Sequence, residues 1–422
     1  METIIYEEMN SRVYETTRSQ VGFTMMVAES PKTIENKVYT EYQERFSTII
    51  EYFSGVINVF REAANGQLPA EVLRMLFGDA PANLGVKFHK ELADNIITRP
   101  AFFRTDEATP GKILEIQSPG SQWGDYQLVV DTLSENGYEG LNKYSLCDKF
   151  TRQLEEHVGD QPLVHHLLDN SSIPHTMLYF IQRTRPKIKY FGYDRDIRPL
   201  SCNFVRSHSV YGLVAENFFL HRIRLAEQER IRFDLPPFIP FDEKISFALP
   251  FMEHTKDFFS NKVREMFAFT HPIVDELIHL EDGSIETIES FSTKSRPTKN
   301  YFLKYAGSDV SINWGSRAVF RLSNDGAEKC LSRLRYCLDE YREKGRCWVI
   351  QKEEKCYEAV QWVNRAGITE QAILPTNYKG FYGPSGFLAV MAMHRNHYKI
   401  HGQEDTVISI CVPGSPSPSP SP

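Results

Sequence analysis

The segment FFRTDEATPGKILEIQ, residues 102–117, constrains this chain more than any other. Two short runs of mixed apolar and polar residues flank Thr109-Pro110-Gly111, whose proline and glycine suit a tight turn. The pattern predicts a β-hairpin. Side chains alternate with period two along a strand, so Glu115 and Gln117 share one face, and Arg104 shares a face with Asp106 on the partner strand. Three oxygen-bearing groups then converge, with room for waters and phosphate oxygens, which is what Mg²⁺ requires. Arg104 adds a cation suited to a phosphate or carboxylate. The plainer reading of the same spacing is an exposed hairpin face with ordinary charges. Ser118-Pro119-Gly120 argues against it, because a tight turn follows the second strand instead of more sheet.

Two later segments carry related signals. In KNYFLKYAGSDVSINWGSRAVF (299–320), Lys304 closes an apolar strand ahead of a loop with Gly307, Ser308, Ser311, Asn313 and Gly315. A lysine at a strand end beside small residues can hold phosphate through its charge and approachable backbone N–H groups. An ordinary β-hairpin looks similar, and no Walker motif is present. GRCWVIQKEE (345–354) reads as an apolar strand ending in polar residues, either a central strand or an edge for a heterocycle.

Composition narrows the function classes. The 422 residues carry 48 Lys+Arg against 55 Asp+Glu, a net charge of −7, without the basic excess that a phosphate backbone selects. Nucleic acid is not an expected partner. Apolar residues make up 41% and aromatics 12%, which suits a globular chain of roughly two to four packed units. No window approaches about 20 uninterrupted apolar residues, and the first residues lack a basic and apolar leader pattern. A cytoplasmic protein with no membrane partner is expected. Seven cysteines without a CxxC pair suggest reduced thiols.

Along the chain, residues 1–100 read as a helical N-terminal cap, from the spacing in VYTEYQERFSTIIEYFSGVINVFREAA and LPAEVLRMLFG. Residues 101–237 read as an α/β unit with the hairpin. In it TMLYFIQR and KIKYFGYD are further strands, and KFTRQLEEHV and VAENFFLHRIRLAEQERI are helices. FDLPPFIPFDEK marks a boundary. Residues 238–413 open with a helical stretch, EKISFALPFMEHTKDFFSNKVREMF. The strands NYFLKYAG, SRAVFRLS and RCWVIQKEE follow, with the helix EKCLSRLRYCLDEYREK between the last two, and FLAVMAMHRNHYKIHG and DTVISICV close the chain. The tail 414–422 is low in complexity and is set apart from the fold.

Taken in order, these segments resemble the ATP-grasp superfamily in its circularly permuted arrangement, that of eukaryotic glutathione synthetase and glutathionylspermidine-synthase-like proteins. R-T-D-(x8)-E-I-Q, Arg104 to Gln117, precedes F-L-K, Phe302 to Lys304, which is the permuted order. The resemblance covers about 100–413. It implies an α/β (α+β) ATP-grasp fold with a helical N-terminal region, and an ATP- and Mg²⁺-dependent ligase joining a small-molecule carboxylate to an amine through an acyl-phosphate. The implied Mg²⁺ ligands are Asp106, Glu115 and Gln117, with Gln117 standing where the family usually has Asn. Lys244 and Lys304 are the implied nucleotide contacts, with the loop 307–315, including Gly307, Ser308 and Gly315, as the lid. That loop has fewer glycines than permuted members often show, and Asp309 stands in for a missing carboxylate. Gln351 and Lys352 fall near the adenine strand, while Arg395 and Arg104 are implied to contact the reacting phosphoryl group. A homodimer is also implied.

Two readings from other classes stay open. One is a nucleotide-binding ATP-grasp module without turnover, motivated by Gln117 and the glycine-poor loop. The other is a metal-dependent hydrolase built on His394, His397 and His401. The strand-like alternation there sends an offset of three to opposite faces, so a zinc cluster is not expected. His165-His166 reads as structural or surface.

Overall fold

The structure is a computed structural model. It describes residues 25–78, 80, 86–87, 89–90, 100–117, 122–135, 137–159, 162–167, 175–191, 204–207, 232–234, 236, 238–241, 243–307, 312, 318–364, 366–400 and 405–414. Two short strands, β1 (Met26–Val27) and β2 (Lys32–Ile34), precede the helices α1 (Asn36–Ala64) and α2 (Ala70–Phe77). The expected hairpin is β3 (Phe103–Glu107) and β4 (Ile113–Gln117). Next come α3 (Trp123–Glu135), α4 (Leu146–Val158), β5 (Leu163–Leu167), α5 (His175–Thr184), β6 (Lys189–Phe191), β7 (Phe204–Ser207) and β8 (Arg232–Phe233). Short 3₁₀ turns, one of them Lys244–Phe247, lead to α6 (Asn261–Met266), β9 (Thr270–Pro272), β10 (Leu277–His279), β11 (Ile285–Thr287), α7 (Ile288–Thr293) and β12 (Tyr301–Tyr305). The last elements are β13 (Val319–Arg321), α8 (Ala327–Lys344), β14 (Trp348–Lys352), β15 (Tyr357–Val363), β16 (Thr369–Gly383), β17 (Gly386–His394) and β18 (Val407–Pro413).

The largest sheet runs β1-β18-β17-β16-β3-β4, with β15 attached to β16 and β2 to β18. A second sheet, β13-β12-β14-β9, is antiparallel, and a third, β6-β5-β7-β8, is parallel. The architecture is therefore mixed α/β. Every residue of β3 is buried, as a strand paired on both edges and covered on both faces must be.

Packing explains why α1 forms and where it sits. It buries Tyr42, Ile49, Tyr52, Phe53, Val56 and Phe60 on one stripe at mostly three- and four-residue spacing. Phe53 meets Phe103 of β3 edge-on at 5.4 Å, and Phe103 stacks on Tyr382 of β16 at 5.1 Å. One apolar core runs from α1 and α2 through β3, β4 and β16 to residues 238–267. The first hundred residues thus contain the expected helices, and also two strands paired to β18 that the periodicity did not announce.

Three sequence expectations need correction or placement. TMLYFIQR forms α5 and not a strand, because an apolar run of that length fits either period and its neighbours decide: α5 packs on α3 and α4. EKISFALPFMEHTKDFFSNKVREMF is a chain of 3₁₀ turns ending in the six-residue α6; Pro250 has no N–H to carry a longer helix through. The segment VAENFFLHRIRLAEQERI lies outside the described residues. The long β15–β16 pair was not anticipated. Among the described residues no helix is long and apolar enough to cross a membrane, and the six described cysteines are free.

Gly345 ends α8 with φ +70°, and a Cβ there would stand 2.5 Å from the carbonyl oxygen of Gly78, just past α2. Gly345→Ala therefore combines a left-handed backbone penalty of about 1–2 kcal/mol with a backbone clash. Urea unfolding of this variant is expected to show a loss of at least that size; unchanged stability would contradict the close packing of α2 on the end of α8.

Candidate functional site

The hairpin brings its polar residues together as period two requires. Asp106 lies opposite Glu115, and Arg104 opposite Gln117. The turn is closed by Gly111, at φ +102°, whose N–H donates to the Glu107 carboxylate at 2.9 Å. Glu107 itself points to the α1 face, paired with Arg45 at 3.0 Å. The site is on the other face.

There, Arg104 Nε donates to Asp106 Oδ1 at 2.9 Å, and its Nη2 donates to Gln117 Oε1. The other Asp106 oxygen accepts from Lys379 of β16, directly opposite Asp106 in the sheet register. Lys244, at the head of its 3₁₀ turn, pairs with Glu115 Oε1 at 3.2 Å. From the second sheet, Lys304 Nζ donates to Gln351 Oε1 at 2.6 Å, and Gln351 Nε2 donates to the Leu114 carbonyl at 3.0 Å and to Thr270 Oγ1 at 3.1 Å. Gln351 thereby ties β14 to β4, and the N–H of Ala268 donates to the Ile113 carbonyl at the same seam.

Four cationic side chains, Arg104, Lys244, Lys304 and Lys379, share this place with two carboxylates, Asp106 and Glu115. Burial opposes the charge on Glu115, yet Lys244 and Lys304 outweigh it and hold the carboxylate down to about 2. Burial pushes the Lys304 ammonium down to about 8, partly offset by Glu115, with Lys244 adding repulsion. Lys379 is lowered by burial as well, against the pull of Asp106. A low-dielectric site with surplus positive charge is suited to an anion.

Most of the residues singled out in the sequence meet here: Arg104, Asp106, Glu115, Gln117, Lys244, Lys304 and Gln351. Lys352 is not among them. It points to the opposite face of β14, reaching Glu281 at 3.2 Å and lying over the Tyr301 ring. Gly307 is buried just past β12, whereas Ser308, Asp309 and Gly315 lie outside the described residues. Arg395 binds its own connection, with Nε to Asp405 at 2.6 Å and Nη1 to the Lys399 carbonyl at 2.8 Å. Sequence reasoning missed Lys379 and Thr270. A lysine inside an otherwise apolar and aromatic strand, NYKGFYG, was the available signal for the first.

The oxygens assigned to a metal are engaged by cations. Both Asp106 oxygens are taken by Arg104 and Lys379, the Gln117 carbonyl by Arg104, and Glu115 by Lys244. Among the described residues no three His, Cys, Asp or Glu side chains form a metal-binding group. A divalent ion here has to displace ammonium or guanidinium groups, so the donor set as it stands does not fit Mg²⁺. The described C-terminal histidines, His394 and His397, belong to no metal-binding group. His394 is buried between Thr376 Oγ1 at 2.8 Å and Ser409 Oγ at 3.0 Å, and burial lowers it to about 4; His397 stacks on Tyr398, and His401 is outside the described residues.

No protein-family model and no curated protein matches the sequence. Among solved structures, the chain is similar to a glutathione synthetase-like effector from Globodera pallida, solved in its apo form. The likeness covers 96% of each chain at a TM-score of 0.51 and 12% identity. It is a likeness of fold.

Because Glu115 is held low, its ionised form stabilises the fold fully above an unfolded value near 4.5, and that contribution is lost as pH falls toward about 2. Glu115→Gln is expected to lower stability at pH 6, with the deficit narrowing below about pH 4.5 in urea unfolding. A deficit independent of pH would show that the surrounding cations do not act on the Glu115 charge.

Proposed function

We propose that the chain is an ATP-grasp protein of the circularly permuted type and acts as an ATP-dependent carboxylate–amine ligase. The observation that carries this reading is the convergence of Lys244 and Lys304, from the C-terminal half, on Glu115, Arg104 and Asp106 of the hairpin. The likeness in fold to a glutathione synthetase-like protein supports it. ATP phosphates would lie against Lys304 and Lys244, beside the buried Arg104–Lys379 cluster. A substrate carboxylate oxygen attacks the γ-phosphorus while the bond to the β-phosphate oxygen breaks, releasing ADP. The amine then attacks the acyl carbon, phosphate departs with its electron pair, and the amine proton is lost as the amide forms. The cations offset charge on the transferring group, so catalysis is positioning and electrostatics without a protein nucleophile. Asp106, Glu115 and Gln117 serve this reading by holding the cations in place.

That same engagement of Asp106, Glu115 and Gln117 favours a second reading, a nucleotide-binding module without turnover. ADP release with amino acids and short peptides as carboxylates, and amino acids and polyamines as amines, separates the two. Turnover in wild type that falls at least tenfold in Lys304→Ala is expected for a ligase. Nucleotide binding by calorimetry without ADP release for any pair would favour the module, and absence of both would remove the ATP-grasp reading.

Charge-assisted hydrogen bonds contribute about 1.5–3 kcal/mol, so Lys304→Ala is expected to weaken nucleotide binding roughly 10- to 100-fold. Phosphate binding needs the protonated Lys304, which sits near 8 in the free protein. Affinity should therefore fall as pH rises through about 8, and Lys304→Arg should flatten the profile, since guanidinium stays charged. A flat profile in wild type would contradict a phosphate contact by Lys304.

A further inference from the structure

The sheet β13-β12-β14-β9 has two faces. Phe302, Lys304, Val349 and Gln351 line the face toward the hairpin, and the alternate residues, Leu303, Trp348 and Phe320, line the back. Between that back face and α8 lies a cavity of about 500 Å³, walled by Leu303, Phe320 and Trp348 from the sheet and by Arg333, Tyr336 and Cys337 from the helix. The site described above lies across the thickness of the sheet from it, since Leu303 sits between Phe302 and Lys304 in the strand.

The walls are mostly aromatic. Phe320 and Trp348 lie nearly parallel, 24° apart, with ring centroids 6.2 Å apart, and Tyr336 meets Trp348 edge-on. Trp348, 4% exposed, closes the inner wall. Arg333 is the charged residue among the lining side chains. Arg333 lies over the Phe320 ring at 4.0 Å and pairs with Asp325 at 3.3 Å, while Asp325 is shared with Lys329 at 3.2 Å, leaving two cations on one carboxylate. The Lys399 ammonium, lowered by burial and then by Arg333, belongs to the same positive region.

We propose that this cavity binds a small aromatic carboxylate, its ring against Phe320, Trp348 and Tyr336 and its carboxylate at Arg333. The volume suits a ligand of that size, and a mostly apolar concavity with a few convergent polar groups is the usual form of a small-molecule site. Recognition of the acid is charge-assisted through a guanidinium already oriented by Asp325 and Phe320. The proposal does not depend on the ligase reading.

Calorimetry of the full-length protein with 2-naphthoate and its neutral counterpart 2-naphthamide tests it. Wild type is expected to bind one 2-naphthoate, at least tenfold tighter than the amide. Arg333→Gln should remove that preference, and Ser332→Trp, at an exposed helix position lining the cavity, should weaken both ligands at least tenfold without burden on the core. Lys304→Ala, across the sheet, should leave binding of both probes unchanged. Failure of 2-naphthoate to bind, binding that survives both Arg333→Gln and Ser332→Trp, or binding abolished by Lys304→Ala would overturn the assignment.

Discussion

One carboxylate, Asp106, stands between two buried cations, Arg104 and Lys379, where β3 meets β16 in the largest sheet. The three side chains come from adjacent positions of β3 and β16, so the strand register and the ion cluster enforce each other. A one-residue slip of β3 would send Arg104 and Asp106 to the α1 face, where Phe103, Thr105 and Glu107 belong, and strand Lys379 without its acid. Removing the acid alone would leave two uncompensated buried charges, a loss of about 3–5 kcal/mol by comparison with other broken buried pairs. Such a cluster contributes less to net stability than to fixing one arrangement.

That arrangement decides what charge the site can receive. Asp106 is spent on Arg104 and Lys379, and Glu115 is left to balance Lys244 and Lys304. The two sheets meet through Gln351, which holds Lys304 with one end of its amide and the Leu114 carbonyl with the other. A shift of the second sheet therefore moves Lys304 relative to Glu115. Positive charge in excess, held by residues from both sheets, makes an anion the natural ligand and gives it a reason to lock the sheets together.

The hairpin was legible because its signal is local: period-two alternation around Thr109-Pro110-Gly111 fixes which side chains share a face. Lys244 and Lys304 were legible only through the order of motifs, since a lysine at a strand end has many ordinary reasons to be there. Lys379 was not read, because its partner Asp106 is 273 residues away in sequence and nothing local marks the pairing. TMLYFIQR was misread for a related reason: contacts with α3 and α4, not its own period, settle its conformation. The β15–β16 pair escaped because TEQAILPTNYKGFYG mixes polar, proline and glycine residues, and its length comes from neighbours on both sides. Arg395, expected from the resemblance to contact phosphate, pairs with Asp405 ten residues on.

The central claim is that Lys304 is a buried ammonium whose depressed pKa an anion can raise. NMR titration of the Lys304 side-chain nitrogen, in the free protein and with inorganic triphosphate, tests it directly. The account predicts a value near 8 in the free protein, moving upward when triphosphate binds, because the anion adds the opposite charge that burial had left short. A Lys304 that titrates like an exposed lysine, or one that triphosphate does not shift, would contradict it.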